Sequence, residues 1–194
     1  MFSAYLIGSI PTAYLFARLL KGVDIREHGS GNVGATNVFR VVGKKQGIFV
    51  LLIDFLKGFL PVALFPLIFN IDKSIIKPEI FSMIIGICAI SGHIWPVFLK
   101  FKGGKGVATT AGALLAFIPD IFFIGLIVWC IFFIIFRYVS IASIAASLSL
   151  PIASIALNKP LIIVLFCIVL FSLGTFKHRS NIARLIQGTE KKLL

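Results

Sequence analysis

Acidic residues are scarce in this chain: its 194 residues hold seven Asp and Glu against 19 Lys and Arg. Only Asp24, Glu27 and Glu190 lie near the polar segments described below, too few carboxylates for a magnesium cage, so no metal site and no cofactor is expected. The three cysteines, Cys88, Cys130 and Cys167, all sit inside apolar runs without ligand spacing. That placement excludes a disulfide framework or a zinc site and leaves them a packing role. Charge of either sign is thin, at 13% of residues, while 59% are hydrophobic. A soluble domain with that balance would aggregate, whereas a bilayer solvates it. The first apolar run lacks a basic leader and a small-x-small cleavage site and carries Gly8, Ser9, Pro11 and Arg18, so it reads as a retained span rather than a secretory signal. There is no internal repeat, long linker or low-complexity tract, and residues 1–194 read as one membrane-embedded domain.

What is present is apolar sequence in blocks. Runs fall at Met1–Leu20, Ile48–Phe69, Ile80–Leu99, Val107–Ile118, Ile121–Phe136, Ile141–Leu157 and Leu161–Phe176. The expected fold is therefore an all-α integral membrane protein, a polytopic bundle of about seven transmembrane helices, some of them short or broken. Several runs fall below the ~20 residues a perpendicular helix needs, which keeps open a five-span arrangement with a buried re-entrant hairpin. Positive charge sets the orientation, because cytoplasmic loops carry the excess of Lys and Arg. With the N-terminus outside, the inner segments hold Lys21, Arg26, Arg40, Lys44 and Lys45, then Lys100, Lys102 and Lys105, then Arg137, and finally Lys177, Arg179, Arg184, Lys191 and Lys192. The outer segments hold only Lys73, Lys77 and Lys159. The C-terminus is thus expected in the cytoplasm. The formal charge of +12 describes one face, suited to anionic lipid headgroups and phosphorylated solutes, and nucleic acid is not an expected partner.

Four polar segments share that inner face. In the first, Gly29-Ser30-Gly31-Asn32-Val33-Gly34-Ala35-Thr36-Asn37 with Arg40 behind it, glycines at 29, 31 and 34 are expected to take positive φ. Successive amides would then line one concavity, with Ser30, Asn32, Thr36 and Asn37 adding side-chain donors for a phosphate. The spacing matches Gly-x-Gly-x-x-Gly, but no strand precedes it, which excludes a dinucleotide fold; a plain capped turn is the simpler alternative. In the second, Gly103-Gly104-Lys105-Gly106, small residues are expected to expose backbone donors beside an ammonium, although a glycine-rich positive-inside loop would look alike. The Walker spacing is absent, so nucleotide hydrolysis is disfavoured.

The third segment, Arg137 to Ser143, sits between two short runs and fits a broken helix whose first turn faces an anion, or serines such as Ser140 and Ser143 that simply bond a neighbouring helix. The fourth supplies His178, Arg179, Asn181 and Arg184, with His178 and Asn181 at helical spacing on one face and His178 the best general-base candidate. His93, beside Trp95, is expected at the interface as a hydrogen-bonding residue, and His28 as a solvated one. Asp54 and Lys57, at i and i+3 in an apolar run, are expected to pair within the membrane, unless Lys57 faces the site.

These blocks together resemble the bacterial acyl-phosphate:glycerol-3-phosphate acyltransferases, the PlsY family. The likeness rests on Gly29 to Arg40, Asp54-Phe55-Leu56-Lys57-Gly58, Gly92 to Phe98, Phe101 to Thr109, Arg137 to Ser143, and Lys177 to Gly188, in that order over nearly the whole chain. The resemblance implies a seven-helix fold with N-terminus outside and C-terminus cytoplasmic. It implies transfer of a fatty acyl group from acyl phosphate to the sn-1 hydroxyl of glycerol 3-phosphate at a bacterial inner membrane, giving lysophosphatidate and phosphate, the first step of phospholipid synthesis. It also places Ser30, Thr36, Arg40, Lys105, Ser143, His178 and Asn181 at positions that bind substrate phosphates or serve catalysis. Catalysis is expected from His178, Asn181 and Lys105, and phosphate binding from Ser30, Asn32, Thr36, Asn37, Arg40, Gly103, Gly104, Lys105, Ser143 and Asn181. The partners expected are the two substrates and membrane lipids, with the chain working as a monomer. A transporter for a phosphorylated metabolite would continue polar residues to the outer face, where the connections are short, and a phosphatase would need clustered acids or paired histidines.

Overall fold

The computed structural model describes residues 1–69 and 77–193, so Asp72 and Lys73 of the second connection lie outside the described residues. Among the described residues the secondary structure is entirely helical. The chain forms two compact units, Met1–Phe117 and Ile118–Leu194.

In the first unit the opening apolar run is broken into α1 (Phe2–Ser9) and α2 (Thr12–Lys21), because Pro11 has no amide to continue the ladder. A short α3 (Ala35–Val41) precedes α4 (Lys44–Ile68), which keeps Pro61 and Pro66 inside its 25 residues. Then come α5 (Pro78–Ile94) and α6 (Val107–Phe117). Backbones meet directly in this unit. A Cβ on Gly58 of α4 would run into the Thr109 carbonyl of α6, and one on Gly112 of α6 would run into the Phe55 carbonyl of α4. Gly8 against Ala89 and Gly92 against Tyr5 hold α1 to α5 in the same way. Small residues are how membrane helices approach closely when no hydrophobic effect drives them together. Ala13, Ala17, Ile25, Val33, Val38, Val50 and Leu99 form a buried cluster that fixes the glycine loop from both sides, through Val33 within it and Val38 just beyond.

The second unit stacks α7 (Pro119–Phe136), α8 (Val139–Ala156) and α9 (Leu161–Lys177), and α10 (Arg179–Ile186) turns 55° away from α9 at His178. Asp120 at the start of α7 is ion-paired with Lys159.

Helices α4, α7 and α8, together with the stretch from Pro78 to Leu99, are long and apolar enough to cross a membrane, and α9 with α10 makes a fifth if the bent pair is one span. Helix α6 has 11 residues, about 16 Å at 1.5 Å per residue, against a hydrocarbon layer about 30 Å thick. The protein is therefore an all-α, multi-pass membrane bundle with four to five spanning helices. The seven expected runs each begin within four residues of a helix or helix pair. Exposed Leu, Ile and Phe side chains on both units are the lipid-facing surface this environment calls for.

Candidate active site

In the first unit the glycine loop closes on itself. Gly29 and Gly31 take the left-handed conformation at φ 63° and 70°, as expected, but Gly34 is extended at φ −160°. A Cβ there would meet only the side-chain nitrogen of Asn32, which can move aside. Asn37, expected to offer its side chain to a ligand, is buried and committed to the loop. Its Nδ2 donates to the carbonyls of Ile25, His28 and Asn32 at 3.1, 2.9 and 3.1 Å, and its Oδ1 accepts from the Ser30 amide at 2.9 Å. The amides of Gly31 and Gly34 bond to His28 and Asn32 within the loop. The first-turn amides of α3 at Ala35 and Thr36 have no intrahelical acceptor. Ser30 and Asn32 lie in the loop and Thr36 in the first turn of α3, with Arg40 one turn beyond Thr36 on the same helix face.

Upstream, Arg26 holds the Asp24 carboxyl down at about 2 through its side-chain hydrogen bonds, and lies 5.3 Å from the centre of the Tyr14 ring. His28, expected to be solvated, is exposed, with Nδ1 2.9 Å from the Asp24 carbonyl.

The second polar segment meets the first. A Cβ on Gly104 would strike both the Val33 carbonyl of the glycine loop and Nε2 of His93. The expectation of exposed backbone donors fails at Gly103 and Gly104: their amides donate to the carbonyls of Ile94 and His93 at 3.3 and 3.1 Å, so the two glycines pack the loop onto the end of α5. Lys105 follows, half-buried, and Gly106 at φ 83° leads into α6.

Beneath this loop lies a small cavity walled by Ser9, Thr12, Asp54, Lys57, His93 and Gly103, among others. Lys57 Nζ sits 2.5 Å from Asp54 Oδ1 and donates to the Ile10 carbonyl at 2.6 Å, so it caps the broken end of α1. Thr109 donates to the Asp54 carbonyl at 2.9 Å. Lys57 is paired with Asp54, as expected, and it also lines this cavity. His93 lies in the last turn of α5, near the helix end as expected; its side chain is 8% exposed and its Nδ1 lies 3.8 Å from Asp54 Oδ1. The available signal was the pair of charges in an apolar run, which a membrane interior obliges to gather polar neighbours.

In the second unit His178 is the hinge between α9 and α10 and is buried. Its Nδ1 lies 2.8 Å from the Gly174 carbonyl, a contact that requires N–H at Nδ1 and makes Nε2 the basic nitrogen of the neutral ring. Asn181, also buried, donates from Nδ2 to Glu190 Oε1 at 2.6 Å. Ser140 donates to the same oxygen at 3.1 Å, and Arg184 donates from Nε to Oε2 at 2.7 Å. Burial pushes the Glu190 carboxyl up, but the bonds from Asn181, Arg184 and Ser140 outweigh it and hold the group below the usual carboxylate range. Ser143 is buried and accepts from Trp129 Nε1 at 3.2 Å. The third and fourth polar segments therefore meet through Glu190, a residue not singled out as functional from sequence. Its signal was isolation, as the only acid after Asp120.

The model of the glycerol-3-phosphate acyltransferase family matches residues 1–188. Similar proteins include the glycerol-3-phosphate acyltransferase of Desulforamulus reducens, 44% identical over 98% of this chain and 92% of the relative. That of Bacillus cytotoxicus is 46% identical over 97% and 91%. The crystal structure of PlsY (YgiH), an integral membrane glycerol 3-phosphate acyltransferase, in its glycerol 3-phosphate form, superposes with a TM-score of 0.87 at 43% identity, covering 98% of this chain and 92% of that one. Its lysophosphatidic acid form gives a TM-score of 0.82 at 42% identity, covering 97% and 91%.

The chain belongs to the glycerol-3-phosphate acyltransferase family. It is an acyltransferase of the PlsY type, carried in the membrane by several helices. In this acyltransferase the matched region takes in every residue expected at the site, from Ser30 to Asn181, whereas Glu190 lies two positions past its end.

Proposed function

We propose that Ser30, Thr36, Arg40, Lys105, Ser143, His178 and Asn181 carry the reaction of this family in this chain: transfer of an acyl group from acyl phosphate to the sn-1 hydroxyl of glycerol 3-phosphate, giving lysophosphatidate and inorganic phosphate. The observation that supports the reading is the meeting of the glycine loop and the Gly103–Lys105 loop at Val33 and Gly104; in this reading Arg40 and Lys105 stand beside the hydroxyls of the phosphate cradle. Arg40, Lys105 and Asn181 hold glycerol 3-phosphate, and the Ser30–Thr36 loop holds the phosphate that leaves. Asn32 contributes its side chain there, while Asn37, Gly103 and Gly104 serve by shaping the two loops.

An acyl phosphate is a mixed anhydride and already activated. The enzyme mainly aligns hydroxyl and carbonyl and stabilises the charge that develops. His178, with Nδ1–H tied to Gly174, presents Nε2 to orient or deprotonate the hydroxyl; a phosphate oxygen of a substrate is the alternative base. Attack forms the ester bond, the C–O bond to phosphate breaks, and the hydroxyl proton passes to the base.

The setting follows from charge. The chain crosses a bacterial inner membrane seven times, with α1 and α2 together and α6 counted as spans, the N-terminus outside, and the C-terminus and active site cytoplasmic. One family model running through residues 1–188 supports treating both compact units as a single catalytic domain, which works as a monomer among anionic lipids.

Purified protein with radiolabelled glycerol 3-phosphate is expected to form lysophosphatidate from synthetic acyl phosphate and not from acyl-CoA; product from acyl-CoA alone would reject the donor. A folded His178→Ala variant is expected to lose at least 100-fold in turnover if the imidazole is the base, about the contribution of general-base catalysis. Near-wild-type turnover would transfer that role to a substrate phosphate.

A further inference from the structure

Helix α8 contains serines of two kinds. Ser147, Ser149 and Ser154 donate back to the carbonyls of Ile144, Ala146 and Pro151 at 2.8, 2.7 and 2.8 Å, the ordinary resting place of a serine in a membrane helix. Ser140 and Ser143, in the first turns, do not. Ser140 is turned to Glu190, and Ser143 accepts a hydrogen bond from Trp129. An indole N–H is only a donor, so at that contact the Ser143 oxygen is the acceptor and its own hydrogen points elsewhere. Among the described residues that hydrogen reaches no acceptor, although Ser143 is 5% exposed. A buried hydroxyl hydrogen without an acceptor is costly, and the obvious remedy, a back-bond within α8, is the one its neighbours use. Trp129 is itself fixed, stacked on Phe133 with ring centres 4.8 Å apart.

We propose that Trp129 is a positioning residue: by occupying the Ser143 oxygen it turns the hydroxyl hydrogen away from the helix backbone and toward a phosphate oxygen of a substrate. The inference rests on the reading of Ser143 as a phosphate-binding residue. Phosphate from acyl phosphate and from glycerol 3-phosphate offer the same acceptor chemistry, and kinetics separates them.

The test uses the full chain in phospholipid vesicles as wild type, Trp129→Phe, Ser143→Ala and the double variant, with each substrate varied at saturating levels of the other. Phe at 129 keeps an aromatic ring beside Phe133 and removes the N–H together with the bulk of the second indole ring, so the melting temperature is followed in parallel. Trp129→Phe is expected to raise KM for one of the two substrates about three- to tenfold, with kcat changed less, the size of one misdirected hydrogen bond. The substrate whose KM rises is the one whose phosphate Ser143 meets. Ser143→Ala is expected to raise the same KM at least as far, and the double variant no further than Ser143→Ala alone. Wild-type kinetics in Trp129→Phe beside an impaired Ser143→Ala would overturn the role of Trp129 alone. Losses that multiply in the double variant would also overturn it, as would equal rises in both KM values with a lowered melting temperature, because Trp129 would then act on the fold. Wild-type kinetics in Ser143→Ala would overturn the phosphate-binding reading and the inference with it.

Discussion

Lys57 shows how much one side chain can organise inside a membrane. Its ammonium is shared between the Asp54 carboxylate and the carbonyl of Ile10 at the broken end of α1, and Lys57 and Asp54 are both buried. Replacing it by Met leaves a carboxylate with no cation beside it. A loss of about 3–5 kcal/mol is expected, read as a lower melting temperature in detergent micelles. Converting Asp54 to Leu in the same chain should recover most of that loss, because the uncompensated charge is then gone. Equal melting temperatures for Lys57→Met and wild type would mean the pair contributes nothing. The charge pair was legible in the sequence from its i, i+3 spacing in an apolar run. That it also caps α1 and gathers His93 was not, because those partners come from positions far along the chain. Asn37 makes the same point at closer range: the donor-rich loop was visible, but which amide serves the ligand and which serves the loop depends on three carbonyls that only the folded turn brings together.

Elements in this protein are joined by contacts that tolerate no added atoms. Gly58 and Gly112 place α4 and α6 backbone to backbone, so Gly58→Val should force the helices apart. A cost of about 1–3 kcal/mol is expected, visible as reduced thermal stability of the purified protein. At the other end of the chain, Glu190 ties α8 to α10. Its carboxyl is held below the ordinary value of 4.5, so the stability it adds is complete above that pH and is lost as pH falls through the folded value. Hydrogen exchange across residues 179–193 should accelerate on acidification in the wild type, while Glu190→Gln should exchange fast already at pH 7 and respond less to acid. An unchanged exchange rate at neutral pH in the variant would remove the ion pair from any role in holding α10. Element ends were largely legible, since apolar runs and Gly or Pro punctuation coincide with them. The 55° turn at His178 was not, because no proline or glycine marks it.

For the whole molecule, the distribution of Lys and Arg makes the orientation testable without a structure. In a chain stripped of its three native cysteines, Lys77→Cys should react with an impermeant thiol reagent in intact cells, and Lys102→Cys only after the membrane is opened. Labelling of Lys102→Cys in intact cells would invert the topology and move the proposed site to the wrong face. The span count was only partly legible: four or five helices are long enough, and composition alone cannot say how a helix of 11 residues sits in lipid.

Four of the seven acids, Asp24, Asp54, Asp120 and Glu190, are spent in ion pairs inside their own units. The surplus of +12 therefore has few internal counterions, and its mutual repulsion must be relieved from outside. Extraction into a neutral detergent that strips bound acidic lipid should leave the preparation brittle at low ionic strength, and adding phosphatidylglycerol or simple salt should restore it.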